Sequence, residues 1–540
     1  MRHVLICIRY VAKDYSEIKE KILKLRRWSG KMGAEKLTEL IVETLIEEFG
    51  DIFDYLKGDV IERPLKEFFV SSGFDGCSVN VGKDNGANRR LMRQLLWKII
   101  EIHCGAHRSS IASHRLFQSK KGNVKLKPFK DMIDKVDAVI KYLCASQVKV
   151  SVLKELQRIQ GLQEYVLLFT PKARFDYAYD TLLRFWTLLK EVIETFETLS
   201  AEKGTKGETK AKMNGFIRDL KNPLFAYKMY ISIQLLKPVK FLSKLRQYND
   251  CILPEIAKQT EEMIKKIQSR KAVENELLIG DLLKEKPIMK IEKIVNKRKG
   301  LTKTMTINLG KFKGSKENLK AAMVKYKDEL GTRLVEQLRE LHPEDGMESK
   351  LTGLDLINVI TKENQQEEEK AWRELGRWVF EDRCVEREDG KIITFKKFPG
   401  DTEEAIQDWK IIREDVKSYA KKNLHCTYMK IEDELDGVEE DQVRDDKAEG
   451  KKSQAEIWLA MLTTFGSSYP SLRVLILLML TIVSHTAGVE RYFNKVKTLQ
   501  NKKRNRMSES TAHKLITIMC FIAKEHDFDA ELLEKVCISQ

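Results

Sequence analysis

Proline is scarce, at 10 of 540 residues, and no stretch reaches the roughly 20 consecutive apolar residues that a membrane helix needs. The best candidate, Val474 to Val483, is about half that length and reads as a buried core helix. Paired cysteines are also missing. Cys7, Cys77, Cys104, Cys144, Cys251, Cys384, Cys426, Cys520 and Cys537 are odd in number and scattered, which argues against a disulfide framework and for reduced, intracellular thiols. The apolar stretch Val4 to Ile8 is too short for a signal peptide and no small-residue cleavage site follows it, so a soluble chain is expected. There is no Gly-x-Ser-x-Gly elbow, and Gly82-Lys-Asp-Asn-Gly86 lacks the Gly-Lys-Ser/Thr that cradles phosphates. Serine hydrolases and Walker-type nucleotide hydrolases are thereby set aside. Cys104 and His107 have no second ligand pair, so no DNA-reading zinc finger is present.

What is present is the composition of a folded, helix-rich protein, with 42% hydrophobic and 33% charged residues. The length suits roughly three structural units. Lys and Arg outnumber Asp and Glu by 97 to 81, a net charge of +16 that favours a polyanionic partner, nucleic acid first.

Up to about residue 115 the patterning is α/β. His3 to Val11 reads as a strand, Tyr15 to Trp28 as a charged run of helical period, and Lys36 to Phe53 as a second helix. A short strand, Lys66 to Ser71, opens into a Gly-rich turn. Asn85 to Gln94 reads as a helix, Leu96 to His103 as a buried strand, and Ala106 to Phe117 as another helix.

From about 126 to 455 strand signals nearly vanish, and apolar residues recur at helical spacing, as at Leu182, Trp186, Leu189, Ile193 and Phe196. A Gly/Lys/Thr linker is expected over Ala201 to Gly215, and a charged helix over Glu255 to Arg270 behind Pro254. Lys284 to Lys320 carries 12 basic against 3 acidic residues, among them Lys297, Arg298 and Lys299, and reads either as a phosphate-contacting or nuclear-import patch or as a solvated loop face. Glu432 to Asp446 holds nine acidic residues against Arg444 and is expected as an exposed loop. Order returns with helices over Ala455 to Phe465, Leu472 to Ser484 and about Val489 to Asn501, then a last helix capped by Ser508. Its stripe of Leu515, Ile518, Met519 and Ile522 suits a dimer surface or an intramolecular core.

Three segments carry a resemblance. Phe69-Val-Ser-Ser-Gly-Phe-Asp75-Gly-Cys-Ser-Val-Asn80-Val-Gly82-Lys-Asp-Asn85-Gly86 has an aspartate behind a strand and a Gly/Asn-rich turn before a helix. Ile102-His103-Cys104-Gly105-Ala106-His107-Arg108 holds a Cys-x-x-His element, and Val489-Glu490-Arg491-Tyr492-Phe493 leads into a basic run ending at Arg506-Met507-Ser508. In order and spacing these resemble the hAT (hobo/Activator type) transposase superfamily with its C-terminal dimerisation region. The resemblance covers both ends of the chain, and the middle only by its length and helical character. Asn494 departs from the serine common in that family, and Ser109 from its leucine.

The resemblance implies an α/β RNase H-like core with a mixed sheet, interrupted by a large all-helical insertion, so that the chain is mostly α overall. The expected boundaries are 1–125 for the first part of the core, 126–453 for the insertion and 454–540 for the second part with the dimerisation region. It implies that Asp75 and Glu490 match the second and third acidic ligands of a magnesium-dependent nuclease whose two ions clamp the attacking and leaving oxygens. The first ligand belongs on a strand preceding one like His3 to Arg9, and none precedes it here, so the first strand is read as missing and catalysis as not expected. Asp14 follows that strand and is no substitute.

The expected function is therefore that of a nuclear, transposase-derived protein acting through dimerisation, with Phe493, Leu515, Ile518 and Ile522 at the interface. DNA contact would run through Lys297, Arg298, Lys299, Lys502, Lys503, Arg504 and Arg506. No cofactor is expected unless the acidic site is completed, when it would take Mg2+. Two alternatives stand beside this reading: an active metal-dependent transposase whose gene model lacks the first catalytic strand, and a protein-interaction scaffold that touches no DNA. A zinc site from His103, Cys104, His107 and His114 is disfavoured, because these residues straddle a strand end and an adjoining helix rather than forming two pairs on turns.

Overall fold

The structure is a computed structural model describing residues 2–28, 33–49, 60–61, 71–74, 86–95, 100–117, 126–162, 164–168, 177–247, 250–272, 276–296, 301–362, 364–381, 383–386, 392–395, 400–424, 451–484, 486, 489 and 514.

The chain opens with an antiparallel hairpin of β1 (Arg2–Val11) and β2 (Ile18–Trp28), in register from Arg2↔Trp28 to Val11↔Ile18 with an irregularity at Ile6/Cys7. Its turn is held locally: Tyr15 N–H donates to the Ala12 carbonyl at 2.9 Å, Tyr15 sits at φ 58°, and Ser16 Oγ donates to Asp14 Oδ1 at 2.7 Å. The expectation of a helix over Tyr15 to Trp28 is corrected here. Ile18, Ile22 and Leu25 are spaced as a helical stripe, but a complete ladder partner lies one turn upstream, and tertiary pairing outweighs a weak local preference. Helix α1 (Ala34–Phe49) packs on this hairpin, where Arg26 Nε donates to Thr44 Oγ1 at 3.2 Å and Lys24 meets Glu48 at 2.7 Å.

After β3 (Val60–Ile61) comes β4 (Ser71–Phe74), which lies later than the strand read over Lys66 to Ser71, whose first five residues fall outside the described set. Helix α2 (Ala87–Leu95) leads to β5 (Ile100–His103), parallel to β4 from Ser71↔Ile100 to Phe74↔His103, and then to α3 (Gly105–His114). Antiparallel pair, helix, then parallel strands with a helical crossover is an α/β arrangement.

The middle of the chain is dominated by helices: α4 (Lys127–Cys144), α5 (Gln147–Ile159), α6 (Tyr177–Thr187), α7 (Leu189–Ala201), α8 (Gly207–Leu220), α9 (Pro223–Leu245), α10 (Leu253–Ala272) and α11 (Glu276–Leu282). The linker read over Ala201 to Gly215 shrinks to the turn at 202–206, because α8 already starts at Gly207. A hairpin of β6 (Ile288–Asn296) and β7 (Leu301–Asn308) follows, antiparallel from Ile288↔Asn308. It corrects both the expected loss of strands after 126 and the loop reading of the basic block. Met289, Ile291, Met305 and Ile307 bury one face of the hairpin, while its lysines hide the period-2 pattern in the sequence.

Helices α12 (Lys316–Leu341), α13 (Met347–Lys350), α14 (Leu356–Thr361) and α15 (Gln365–Val379) lead to β8 (Arg383–Glu386) and β9 (Ile392–Phe395). Strand β9 pairs antiparallel with β8 and parallel with β3. Helices α16 (Thr402–Asn423), α17 (Gln454–Phe465) and α18 (Pro470–Thr481) complete the described elements. Trp372 of α15, Trp409 of α16 and Trp458 of α17 are fully buried with ring centroids 5.6 to 5.9 Å apart, so α17 shares a core with the helices before it. Ser453 and Glu456 form a reciprocal cap at the start of α17. The fold is mostly α. No helix among the described residues is long and apolar enough to cross a membrane.

Candidate functional site

The ends of β4 and β5 meet a segment that returns from the far end of the chain. Behind α18, Val483 N–H donates to Ser71 Oγ at 3.0 Å, Gly105 N–H to the Ser484 carbonyl at 3.2 Å, and Thr486 N–H to Cys104 Sγ at 3.3 Å. The first and last of these contacts join residues 412 and 382 positions apart. Two glycines permit the approach. A Cβ on Gly73 would lie 2.4 Å from Val483 Cγ1, and one on Gly105 would lie 3.3 Å from the Ser484 carbonyl and 3.2 Å from Ile256 Cδ1. Arg9 of β1 joins the same region, donating to the Leu480 carbonyl at 3.3 Å and the Cys251 carbonyl at 3.2 Å, while Ser484 Oγ donates to Cys251 at 2.7 Å.

Cys104 is the hub of this corner. Its N–H donates to the Phe74 carbonyl at 2.9 Å, tying β5 to the last residue of β4. Its sulfur, 1% exposed, accepts from His107 N–H at 3.4 Å and so caps the N-terminus of α3. The thiol at the cap reaches the backbone N–H three residues on, so the cap fixes the place of Cys104 and makes no use of the His107 ring. The His107 ring lies 5.8 Å from the His103 ring, and His114 stands edge-on to Phe117 at 5.3 Å. With two N–H groups on the sulfur and the imidazoles packed this way, the four residues once weighed as zinc ligands do not converge on a point. Among the described residues no group of three or more His, Cys, Asp or Glu is arranged to hold a metal ion. The Cys104 thiol and the imidazoles beside it are softer donors than a hard cation such as Mg2+ takes.

Helix α3 is anchored on its other side by a buried ionic network that sequence reasoning missed. Arg108 Nη1 donates to Glu348 and, at 2.9 Å, to the Leu341 carbonyl. Arg246, fully buried, donates to the Gly105 carbonyl at 3.1 Å, Ser109 Oγ at 2.8 Å and His342 Nε2 at 2.9 Å from one nitrogen, and to Ile256 and Thr260 from the other. Glu348 stands 3.6 Å from His342 Nδ1. Despite burial, His342 and Arg108 hold the Glu348 carboxyl well below the usual range, while burial and the two arginines keep His342 neutral. The Ser109–Arg246 bond joins residues 137 positions apart, so no local pattern announces it.

His103 ends β5 opposite Phe74, with Nε2 buried and unpartnered. Burial, then the charge of Arg108, pulls its imidazole down to about 3. The folded state thus binds fewer protons than the unfolded chain below the ordinary histidine value of about 6.5, so His103 costs stability as pH falls from there. Asp355, which burial pushes up to about 6, acts in the opposite sense, so the comparison must be variant against wild type. In urea unfolding between pH 7 and 5, His103→Gln is expected to show a pH slope shallower by up to one proton; an unchanged slope would mean that the ring takes up its proton in the folded state.

Most of the residues singled out in the sequence lie outside the described residues: Asp75, Glu490, Phe493, Leu515, Ile518, Ile522, Lys297, Arg298, Lys299, Lys502, Lys503, Arg504 and Arg506, together with the acidic segment 432–446. Cys104 and His107 are described, and the structure brings them together at the strand-end corner. In the sequence Asp75 follows β4 directly, and Glu490 stands four residues beyond Thr486.

No family model matches the chain, and no curated protein matches it.

Proposed function

We propose that this chain is a transposase-derived protein of the hAT type, with an RNase H-like core split by the helical middle of the chain, acting through self-association and contact with DNA rather than through strand cleavage. The observation that supports this reading best is the return of Val483, Ser484 and Thr486 to the ends of β4 and β5. In an RNase H-like nuclease the carboxylates come from parts of the chain far apart in sequence. A corner that joins the residue before Asp75 to a segment four residues before Glu490 is the arrangement such a core needs. Two of the family's three acidic positions have counterparts in the sequence, Asp75 and Glu490.

The test is proximity. In a variant carrying Asp75→Cys and Glu490→Cys, a short bis-maleimide is expected to join the two positions, read by mass spectrometry of that peptide pair. Absence of that product, with the single variants still labelled, would remove the RNase H-like core. Mg2+-dependent nicking of supercoiled plasmid that disappears in Asp75→Asn would instead restore the nuclease reading.

A further inference from the structure

Tyr142, near the end of α4, is half-buried between Phe196 of α7 and Phe216 of α8, at ring-centroid distances of 6.0 and 5.4 Å. Those two phenyl rings stack on each other at 5.6 Å and 23°, so helix packing fixes the orientation of the phenol. Two ammonium groups converge on this one ring. Lys149 Nζ, from the first turn of α5, lies 3.3 Å from its centroid, and Lys212 Nζ, from α8, lies 4.9 Å away.

One of these cations has a structural duty, because Lys149 also donates to the Tyr142 carbonyl at 3.1 Å and so satisfies an open carbonyl near the end of α4. Lys212 has none: it is exposed and free to swing into water, yet it shares the ring with a like charge. The repulsion registers on Lys149, whose ammonium is held below its ordinary value by burial and then by Lys212. Among the described residues neither lysine forms an ion pair with a carboxylate. Of the two acids on the same helix, Glu208 forms no ion pair with Lys212 although it stands one turn before it, and Asp219 is taken by Lys135 at 3.2 Å. Lys141 and Lys210, close to Tyr142 and Lys212 in the sequence, are exposed as well.

We propose that Tyr142, Lys149 and Lys212 form a seat for a backbone phosphate of a nucleic acid. One phosphate offers an oxygen to each ammonium and relieves their repulsion, while the phenol's quadrupole holds the cations against the ring. The seat lies in the helical middle of the chain, apart in sequence from the strand-end corner and from both basic runs. It shares with the proposed function only the identity of the polymer.

The experiment measures binding of the full chain to mixed-sequence duplex DNA across a salt series. Lys149→Gln with Lys212→Gln is expected to weaken binding several-fold, equally for all sequences, and to lower the slope of log affinity against log salt by about one. Lys149→Arg with Lys212→Arg is expected to keep the wild-type slope, as is a control with Lys325→Gln and Lys370→Gln. An unchanged slope in the glutamine variant overturns the proposal while leaving DNA binding by the chain intact. The same chain, with its lysines carrying 13C-methyl groups, is then titrated with inorganic phosphate. A shift of the Lys149 signal with no duplex bound by the wild type would assign the seat to free phosphate and overturn the nucleic-acid proposal, as would neither shift nor binding. None of these outcomes depends on the proximity of positions 75 and 490.

Discussion

Replacing Lys293 with methionine is expected to lower the unfolding free energy by about 3–5 kcal/mol, measured by urea denaturation at pH 7. Lys293 lies in β6 with its ammonium 2.6 Å from both carboxylate oxygens of Glu191 on α7, and both side chains are 0% exposed. Burial pulls the Lys293 ammonium below its ordinary value even with those two contacts. The pair therefore balances a large desolvation cost against an attraction of similar size, and removing one partner leaves the other cost standing. Two further results would separate this account from a simple packing loss. Combining Lys293→Met with Glu191→Leu should recover most of the lost stability, because an apolar pair of similar volume desolvates nothing. Acid should relieve the single variant, since a protonated carboxyl no longer buries a charge. If the double variant is as unstable as the single one, shape and not charge is what the pair supplies.

The same pair shows why parts of the fold were hard to read from the sequence. A lysine at 293, in a segment rich in basic residues, looks like solvent-facing charge, and only the distant Glu191 turns it into a core residue. The hairpin β6–β7 was missed for that reason. In β2 the failure was different: Ile18, Ile22 and Leu25 satisfy a helical stripe, and the partner that makes a strand of them is β1. Where local pattern and tertiary context agree, the elements were legible, as in β1, α1, α10 and α17, the last with its Ser453/Glu456 cap and apolar face. At the candidate site the Cys104/His107 spacing stood out in the sequence. That the sulfur caps α3 and receives the returning segment depends on Thr486, 382 positions away, and no local pattern encodes it.

Glu348→Gln is expected to cost a further loss of the same order, about 3–5 kcal/mol, and to loosen the strand-end corner as well. Glu348 faces Arg108 and His342, and Arg246 bonds the far side of the same imidazole, so the substitution leaves two buried guanidinium groups with no nearby anion. Arg246 keeps its oxygen partners on α3 and α10, but Arg108 loses its counter-charge and retains the Leu341 carbonyl and a neutral amide oxygen at 348. Because Arg108 and Ser109 lie on α3, strain there reaches Cys104 and, through Thr486, the segment that leads to Glu490. Amide hydrogen exchange should therefore speed up in Glu348→Gln at Gly105, His107 and Thr486 while the Trp372, Trp409 and Trp458 core stays protected. Uniform acceleration at both places would mean that the network stabilises the whole molecule and has no particular hold on the corner. A loss under about 1 kcal/mol would mean that water replaces the carboxylate and that the arginines are less enclosed than their burial indicates.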